Sequence, residues 1–284
     1  MKLKFGVNAW VWTSPVTTAD LEKLAPHVRT LGFDWIEIPL EQVSDIDPVR
    51  VAQILAREEL GVSVCAAMGP DRDLIHPDPA VRDTGMQYIR DAVDVAAALG
   101  ATSLVGPMYS SVGRAWQQTS VERQSDEALL VEQYRSLCEH AALRNVVLCI
   151  EPLNRFETSF LNLTAQAVDI VDRVNHPHCQ IMIDTFHANI EEKSTAAAIR
   201  AAGRRLHHVH ACENDRGAPG SGNVAWGEVA TALRDIDYEG AIVIESFTNK
   251  VKSIARAAAI WRPLAATQDD LARDGLTFLR QLMA

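Results

Sequence analysis

Two glutamates, one aspartate and one histidine each stand at the end of an apolar, β-type run. The runs are Cys149-Ile150-Glu151, Ile181-Met182-Ile183-Asp184, His207-His208-Val209-His210 and Ile242-Val243-Ile244-Glu245, and the four polar residues are 33, 26 and 35 positions apart. A strand, a helix and two loops take about 30 residues, so the spacing predicts four successive βα units, each delivering one ligand at the carboxyl end of its strand. In a closed parallel barrel those strand ends converge on one mouth. Three carboxylates and an imidazole form a mainly oxygen-donor set, which suits Mn²⁺, Mg²⁺ or Co²⁺ better than a structural zinc.

Each residue alone has a plainer reading. Glu151 could face solvent, Asp184 could cap the helix that follows it, His210 could be a satisfied core histidine and Glu245 a helix-N-terminal carboxylate. Four of them at βα spacing are hard to explain separately. His187, three residues after Asp184, Glu157, six after Glu151, and Arg216, in a Gly/Pro-rich loop six after His210, are placed to form a substrate-facing shell. Glu37 ends the second strand pattern and points at the same mouth, where it suits a hydrogen bond to a ligand rather than contact with substrate.

The elements that must position these groups alternate along the whole chain. Strand patterns cover residues 3–9, 33–38, 62–67, 102–106, 146–151, 180–184, 206–211 and 241–245; helical periods cover 18–31, 48–60, 79–99, 126–144, 164–174, 194–202, 226–235 and 268–282. Several strand runs are apolar at consecutive positions, as strands buried on both faces are. Gly32, Gly61 and Gly100 follow helical runs and read as helix-terminating glycines. Eight strands alternating with eight helices predict an α/β fold, a (β/α)₈ TIM barrel spanning residues 1–284 as one domain. A doubly wound open sheet would not bring four consecutive strand ends to one point, and its glycine-rich phosphate turn is missing.

Composition agrees with an ordinary soluble globular protein. Of 284 residues, 48% are hydrophobic and 23% charged, and the net charge of −10 disfavours a nucleic-acid groove. Five scattered cysteines without a C-x-x-C pair suggest a reducing, cytoplasmic setting rather than a disulfide framework. The N-terminus does not read as a signal peptide, and no apolar run is long enough to predict a membrane span.

At the chemistry-bearing residues the chain resembles the D-tagatose 3-epimerase / D-psicose (allulose) 3-epimerase family of xylose-isomerase-like TIM barrels. The likeness rests on Glu151-Pro-Leu-Asn-Arg-Phe-Glu157, Asp184-Thr-Phe-His-Ala-Asn-Ile-Glu-Glu192, His208-Val-His210 and Val243-Ile-Glu-Ser-Phe247, and extends to Leu233–Gly240 and Ile260-Trp-Arg262. It implies a metal-dependent epimerase that interconverts C3 epimers of free ketoses through a cis-enediolate. By that resemblance Glu151, Asp184, His210 and Glu245 hold one divalent ion, Mn²⁺ foremost with Co²⁺ or Mg²⁺ as substitutes. Glu151 and Glu245 are then the acid/base pair. Glu157, His187 and Arg216 hydrogen-bond the O1–O3 end of the sugar. The family forms dimers and tetramers, so a homodimer or homotetramer is expected, with apolar helical faces such as that of residues 255–260 available for the contact.

Departures from the family pattern cluster away from the metal. Asn8 stands where an aromatic is common, Ser246 where proline is usual, and Ala211-Cys212 where Thr/Leu-Gly is usual; the nearest tryptophan after the fourth strand is Trp116. These put the preferred ketose in question more than the reaction, and leave Trp10, Trp12 and Trp116 open as sugar-pocket or core residues. Aldose–ketose or hydroxypyruvate-type isomerisation and cyclitol-ketone dehydration are the alternatives on the same scaffold. A DNA-repair endonuclease on a related barrel would need several extra histidine ligands near the second and third strand ends, where Glu37 and Met68-Gly69-Pro70 stand.

Overall fold

The computed structural model describes residues 3–284. Among them, eight strands close into an all-parallel barrel in chain order: β1 (Lys4–Asn8), β2 (Trp35–Pro39), β3 (Gly61–Cys65), β4 (Ser103–Gly106), β5 (Val147–Ile150), β6 (Cys179–Asp184), β7 (Leu206–Ala211) and β8 (Ala241–Ile244). Closure comes from β8 pairing with β1, with Lys4 beside Ala241 and Val7 beside Ile244.

Around it lie α1 (Thr18–Thr30), α2 (Pro48–Arg57), α3 (Pro79–Leu99), α4 (Ser120–Ala142), α5 (Thr164–Val174), α6 (Thr185–Glu191), α7 (Thr195–Ala202), α8 (Trp226–Asp235), α9 (Lys252–Ala257) and α10 (Gln268–Met283). Helix α4 starts six residues earlier than its apolar period suggests. Thr119 and Glu122 form a capping box there, and that box nucleates a polar first turn that hydrophobic periodicity does not reveal. The short helices α6 and α9 are likewise absent from the periodicity, being too brief to show one.

Gly32 and Gly100 do follow helices with positive φ, at 99° and 79°. Gly61 does not. Its helix ends at Arg57, Glu59 takes the left-handed turn at φ 53°, and Gly61 opens β3. It is glycine because a Cβ would sit 2.1 Å from the Trp35 ring.

Alternation of side chains along each strand sorts the core. Leu148, Ile150, Ile181, Ile183, Val209, Ile242 and Ile244 belong to the large apolar cluster shared with the helices. Cys65, Val105, Cys149 and Met182 form a separate cluster with Trp10 and Phe247. The parity of this second set continues to Glu151, Asp184, His208, His210 and Glu245, so the strands turn those polar side chains into the barrel.

Candidate active site

Glu151 and Glu245 follow the last residues of β5 and β8, Asp184 ends β6 and His210 is the penultimate residue of β7. All four are at most 5% exposed. Ligand atoms of Glu151, Asp184 and His210 lie within 4.8 Å of one another, and Glu245 comes within the same range of His210 and of Asp184. Asp184 also caps α6: Phe186 N–H donates to Oδ1 at 2.8 Å. The capping role and the site role use different oxygens, because Arg216 donates to Oδ2.

His210 Nε2 lies 2.6 Å from Glu37 Oε1. Glu37 is fully buried and also accepts from Asn8 Nδ2 at 2.9 Å and Ser63 Oγ at 2.8 Å. His208 Nε2 is 2.8 Å from Glu37 Oε2 but lacks hydrogen-bond geometry. Burial alone would raise the Glu37 carboxyl; the charges of His210 and His208 and the hydrogen bond with His210 outweigh it and hold the group well below the usual carboxylate range. An ionised Glu37 takes the Nε2 proton of His210 as its partner. Nδ1 of His210 is buried without a hydrogen-bond partner, although Glu245 Oε1 is 3.3 Å away.

Arg216 is the buried cation of the site. Its Nη1 donates to Asp184 and, at 2.8 Å, to Glu245 Oε2. Phe186 and Phe247 flank the guanidinium at 3.9 and 5.1 Å. Its backbone holds φ at 68°, and the loop around it is tied by Glu213, whose carboxylate accepts from the N–H groups of Gly220 and Val224 and from Trp226 Nε1. One guanidinium faces three buried carboxylates. Burial pushes Glu151 well up. At Glu245 burial acts the same way, but His210 and Arg216 outweigh it and bring the group down. An unpartnered buried imidazole nitrogen and an excess of buried carboxylate are what a divalent cation would complete, so this donor set fits a metal of the Mn²⁺, Co²⁺ or Mg²⁺ kind.

His187 is 3% exposed and accepts the Asn154 backbone N–H on Nδ1 at 3.0 Å. Its other nitrogen lies 3.2 Å from Arg216 Nη2 and 3.7 and 3.8 Å from Asp184 and Glu151. Glu157 accepts from Asn154 Nδ2 at 2.8 Å, so one asparagine orients both residues.

Above these groups opens a cavity of about 350 Å³, within the ordinary range for small-molecule sites. Glu151, Glu157, His187, Arg216 and Glu245 line it; Asp184 and His210 stand behind the wall. Trp10 is a cavity wall, 5.5 Å from Phe247 ring to ring. Trp12 and Trp116 are elsewhere: Trp12 donates to Asp269, and Trp116 stacks on Phe160. Sequence reasoning did not find Glu41, Arg72 or Phe247 as lining residues, nor the contribution of α9 through Ile254 and Ala257. Arg72 and Glu41 sit in loops with no motif of their own. Ala255 and Ile260, expected to offer an outward apolar face, are buried within the chain at 7% and 6% exposure.

The sequence and the fold match known proteins. The xylose isomerase-like TIM barrel family matches over residues 26–282. A probable ketose 3-epimerase of Synechocystis sp. is 32% identical over 99% of this chain and 96% of its own length. A D-psicose 3-epimerase of Enterocloster bolteae is 35% identical over 96% and 91%. The chain belongs to the ketose 3-epimerase family of xylose isomerase-like TIM barrels. The structure of D-allulose 3-epimerase from Methylomonas sp. in complex with D-allulose superposes with a TM-score of 0.92 at 33% identity, covering 99% of this chain and 97% of that one. No described helix is long and apolar enough to cross a membrane.

Proposed function

We propose that this protein is a metal-dependent ketose 3-epimerase acting on free ketoses of the D-fructose/D-allulose and D-tagatose/D-sorbose type. One observation carries the reading. Of the four strand-end ligand residues, only the outer two, Glu151 on β5 and Glu245 on β8, line the cavity. Asp184 and His210, on the strands between, hold the centre from behind. A substrate entering the mouth therefore meets both carboxylates.

C3 epimerisation needs that arrangement. The proton on C3, beside the C2 carbonyl, must leave from one face and return to the other, and one base cannot reach both faces of the planar enediolate between. Glu245 and Glu151 take these parts in turn, one receiving the C3 proton while the other gives one up. A divalent cation held by Glu151, Asp184, His210 and Glu245 would polarise the C2 carbonyl and offset the charge of the enediolate. His187 and Arg216 add donors where negative charge grows on O1–O3, and Glu157 accepts from a hydroxyl there. We take Mn²⁺ as the working metal, with Co²⁺ or Mg²⁺ as substitutes.

The proposal extends to setting and assembly. All five cysteines are buried and free, which fits a cytoplasmic location. Phe156 and Trp261 are 77% and 75% exposed and give a homodimer or homotetramer apolar surface to cover; sedimentation velocity of wild type against the Phe156→Ser/Trp261→Ser double variant tests this.

Proton NMR of the Mn²⁺-loaded protein in D₂O, with D-fructose, D-tagatose and D-allulose in turn, tests the reaction. Deuterium at C3 together with the C3 epimer is expected. Exchange at C1 with aldose formation would make the protein an isomerase instead, and no exchange with any ketose would remove the reading.

A further inference from the structure

The cavity has a second polar end that the C3 chemistry leaves unused. The ligands come from β5–β8, and in a ring ordered β1 to β8 the loops after β2 and β3 lie across the mouth from β6 and β7. Those two loops bring Glu41, Gln42 and Arg72 to the cavity wall. Between the two ends the lining is largely apolar, with Trp10, Met68, Val112, Leu153 and Phe247. For a ketose with C1–C3 at the metal end, Glu41, Gln42 and Arg72 are polar side chains at the far side of the same cavity.

Arg72 is 8% exposed and is held rigidly. Its guanidinium lies 4.0 Å over the Tyr88 ring, Nη1 donates to the Glu41 carbonyl at 3.2 Å, and Nε reaches exposed Asp71 only at 3.4 Å. Nη2 makes no hydrogen bond among the described residues. Glu41 is fixed in the same manner: Trp10 Nε1 donates to Oε1 at 3.0 Å and Ser14 Oγ donates to the same oxygen, leaving Oε2 unengaged. No ion pair joins Arg72 to the Glu41 carboxylate among the described residues. The far wall thus presents one oriented cationic donor and one oriented anionic acceptor, each with a free position.

We propose that Arg72 and Glu41 are specificity-determining residues that bind the terminal hydroxyl of an unphosphorylated six-carbon ketose. The inference rests on the epimerase reading. A hydroxyl both donates and accepts, so it satisfies Glu41 and Arg72 together. A terminal phosphate would meet Arg72 but be repelled by Glu41. A five-carbon ketose held at the same metal end falls one carbon short of the pair.

The test compares wild type with Arg72→Met and Glu41→Gln, all Mn²⁺-loaded, on D-fructose, a ketopentose and D-fructose 6-phosphate. Methionine keeps an unbranched apolar stem and removes the guanidinium. Losing a hydrogen bond to a charged group lowers kcat/KM for D-fructose by about 10- to 100-fold in each variant, with less than about 3-fold change for the ketopentose. Equal losses on both sugars, or none, overturn the inference while leaving the epimerase reading intact. A wild type that prefers the 6-phosphate overturns the neutral-hydroxyl assignment. A wild type that exchanges no C3 proton in any of the three takes the inference down with the reaction.

Discussion

Glu37 Oε1 and His210 Nε2 are 2.6 Å apart inside the barrel, and both residues are fully buried. The contact fixes which imidazole nitrogen is free to bind metal. With Nε2–H donated to Glu37, the lone pair of Nδ1 faces the other candidate ligands, and the carboxylate increases its basicity. Glu37→Gln preserves shape and one oxygen that can accept from Asn8 and His210, yet replaces the anion and turns the oxygen that accepts from Ser63 into a donor. Metal affinity is expected to fall by about 10- to 100-fold, the usual effect of removing such an outer partner. Titrating chelator-stripped protein with Mn²⁺ against a chromogenic chelator reads this directly. An unchanged dissociation constant would mean that Glu37 does not set the orientation of His210.

Arg216 serves two partners at once, and its loss should show in two measurements. In its proposed role as a donor to substrate it would contribute about 1.5–3 kcal/mol, so Arg216→Ala should lower kcat/KM by roughly 10- to 150-fold. As the cation between Asp184 and Glu245 it offsets buried negative charge in the metal-free protein. Removing it leaves those carboxylates uncompensated, a costly state. The variant's drop in Tm should therefore be larger after chelation than in the metal-loaded protein. Equal drops in both states would argue against the guanidinium having this electrostatic role.

The metal-end residues were legible in the sequence because strand periodicity and βα spacing are one-dimensional signals. Glu151, Asp184, His210 and Glu245 each follow an apolar run, and the barrel turns all four inward by strand parity. His187 and Arg216 were legible through the motifs around them. What was not legible depends on contacts between distant loops. Trp10 donates to Glu41 across 31 residues, and Arg72 stacks on Tyr88 in a helix 16 positions later; neither pair has a spacing that announces it. Gly61 misled for a related reason. A glycine after a helical run reads as a cap, but its actual constraint is the Trp35 ring on the neighbouring strand.

Ser246 illustrates how a departure from the family pattern acquires a role. Its Oγ donates to the Arg216 carbonyl at 2.7 Å, and Ser246 is fully buried. Arg216 sits at φ 68°, a backbone region that costs a non-glycine residue energy and persists only where surrounding contacts enforce it. Ser246→Ala removes one such contact and strands a buried carbonyl. Unfolding stability should fall by about 1–3 kcal/mol. The KM for ketose should rise as the guanidinium loses its fixed direction. Urea unfolding and steady-state kinetics check the two parts, and a variant unchanged in both would show that the Glu213-centred loop holds Arg216 unaided.

Acid sensitivity has a contributor outside the catalytic mouth. His207 is on the outward face of β7, and burial, with the charge of His208 adding to it, holds its imidazole down to about 4. In the unfolded chain a histidine titrates near 6.5. Above that value both states are neutral and His207 adds no pH dependence. Between about 6.5 and 4 the unfolded chain binds a proton that the folded protein refuses, so stability falls as pH falls through this window. The full effect is at most roughly 3.5 kcal/mol at 1.4 kcal/mol per pKa unit. Other groups also titrate here, including the carboxylates of the site, so the absolute curve does not isolate His207. Its difference from His207→Gln does, because the amide cannot take up the proton in either state. Urea unfolding of both proteins from pH 7.5 to 4.5 should show the wild type losing stability faster than the variant. Parallel curves would mean that the imidazole is protonated in the folded protein without penalty.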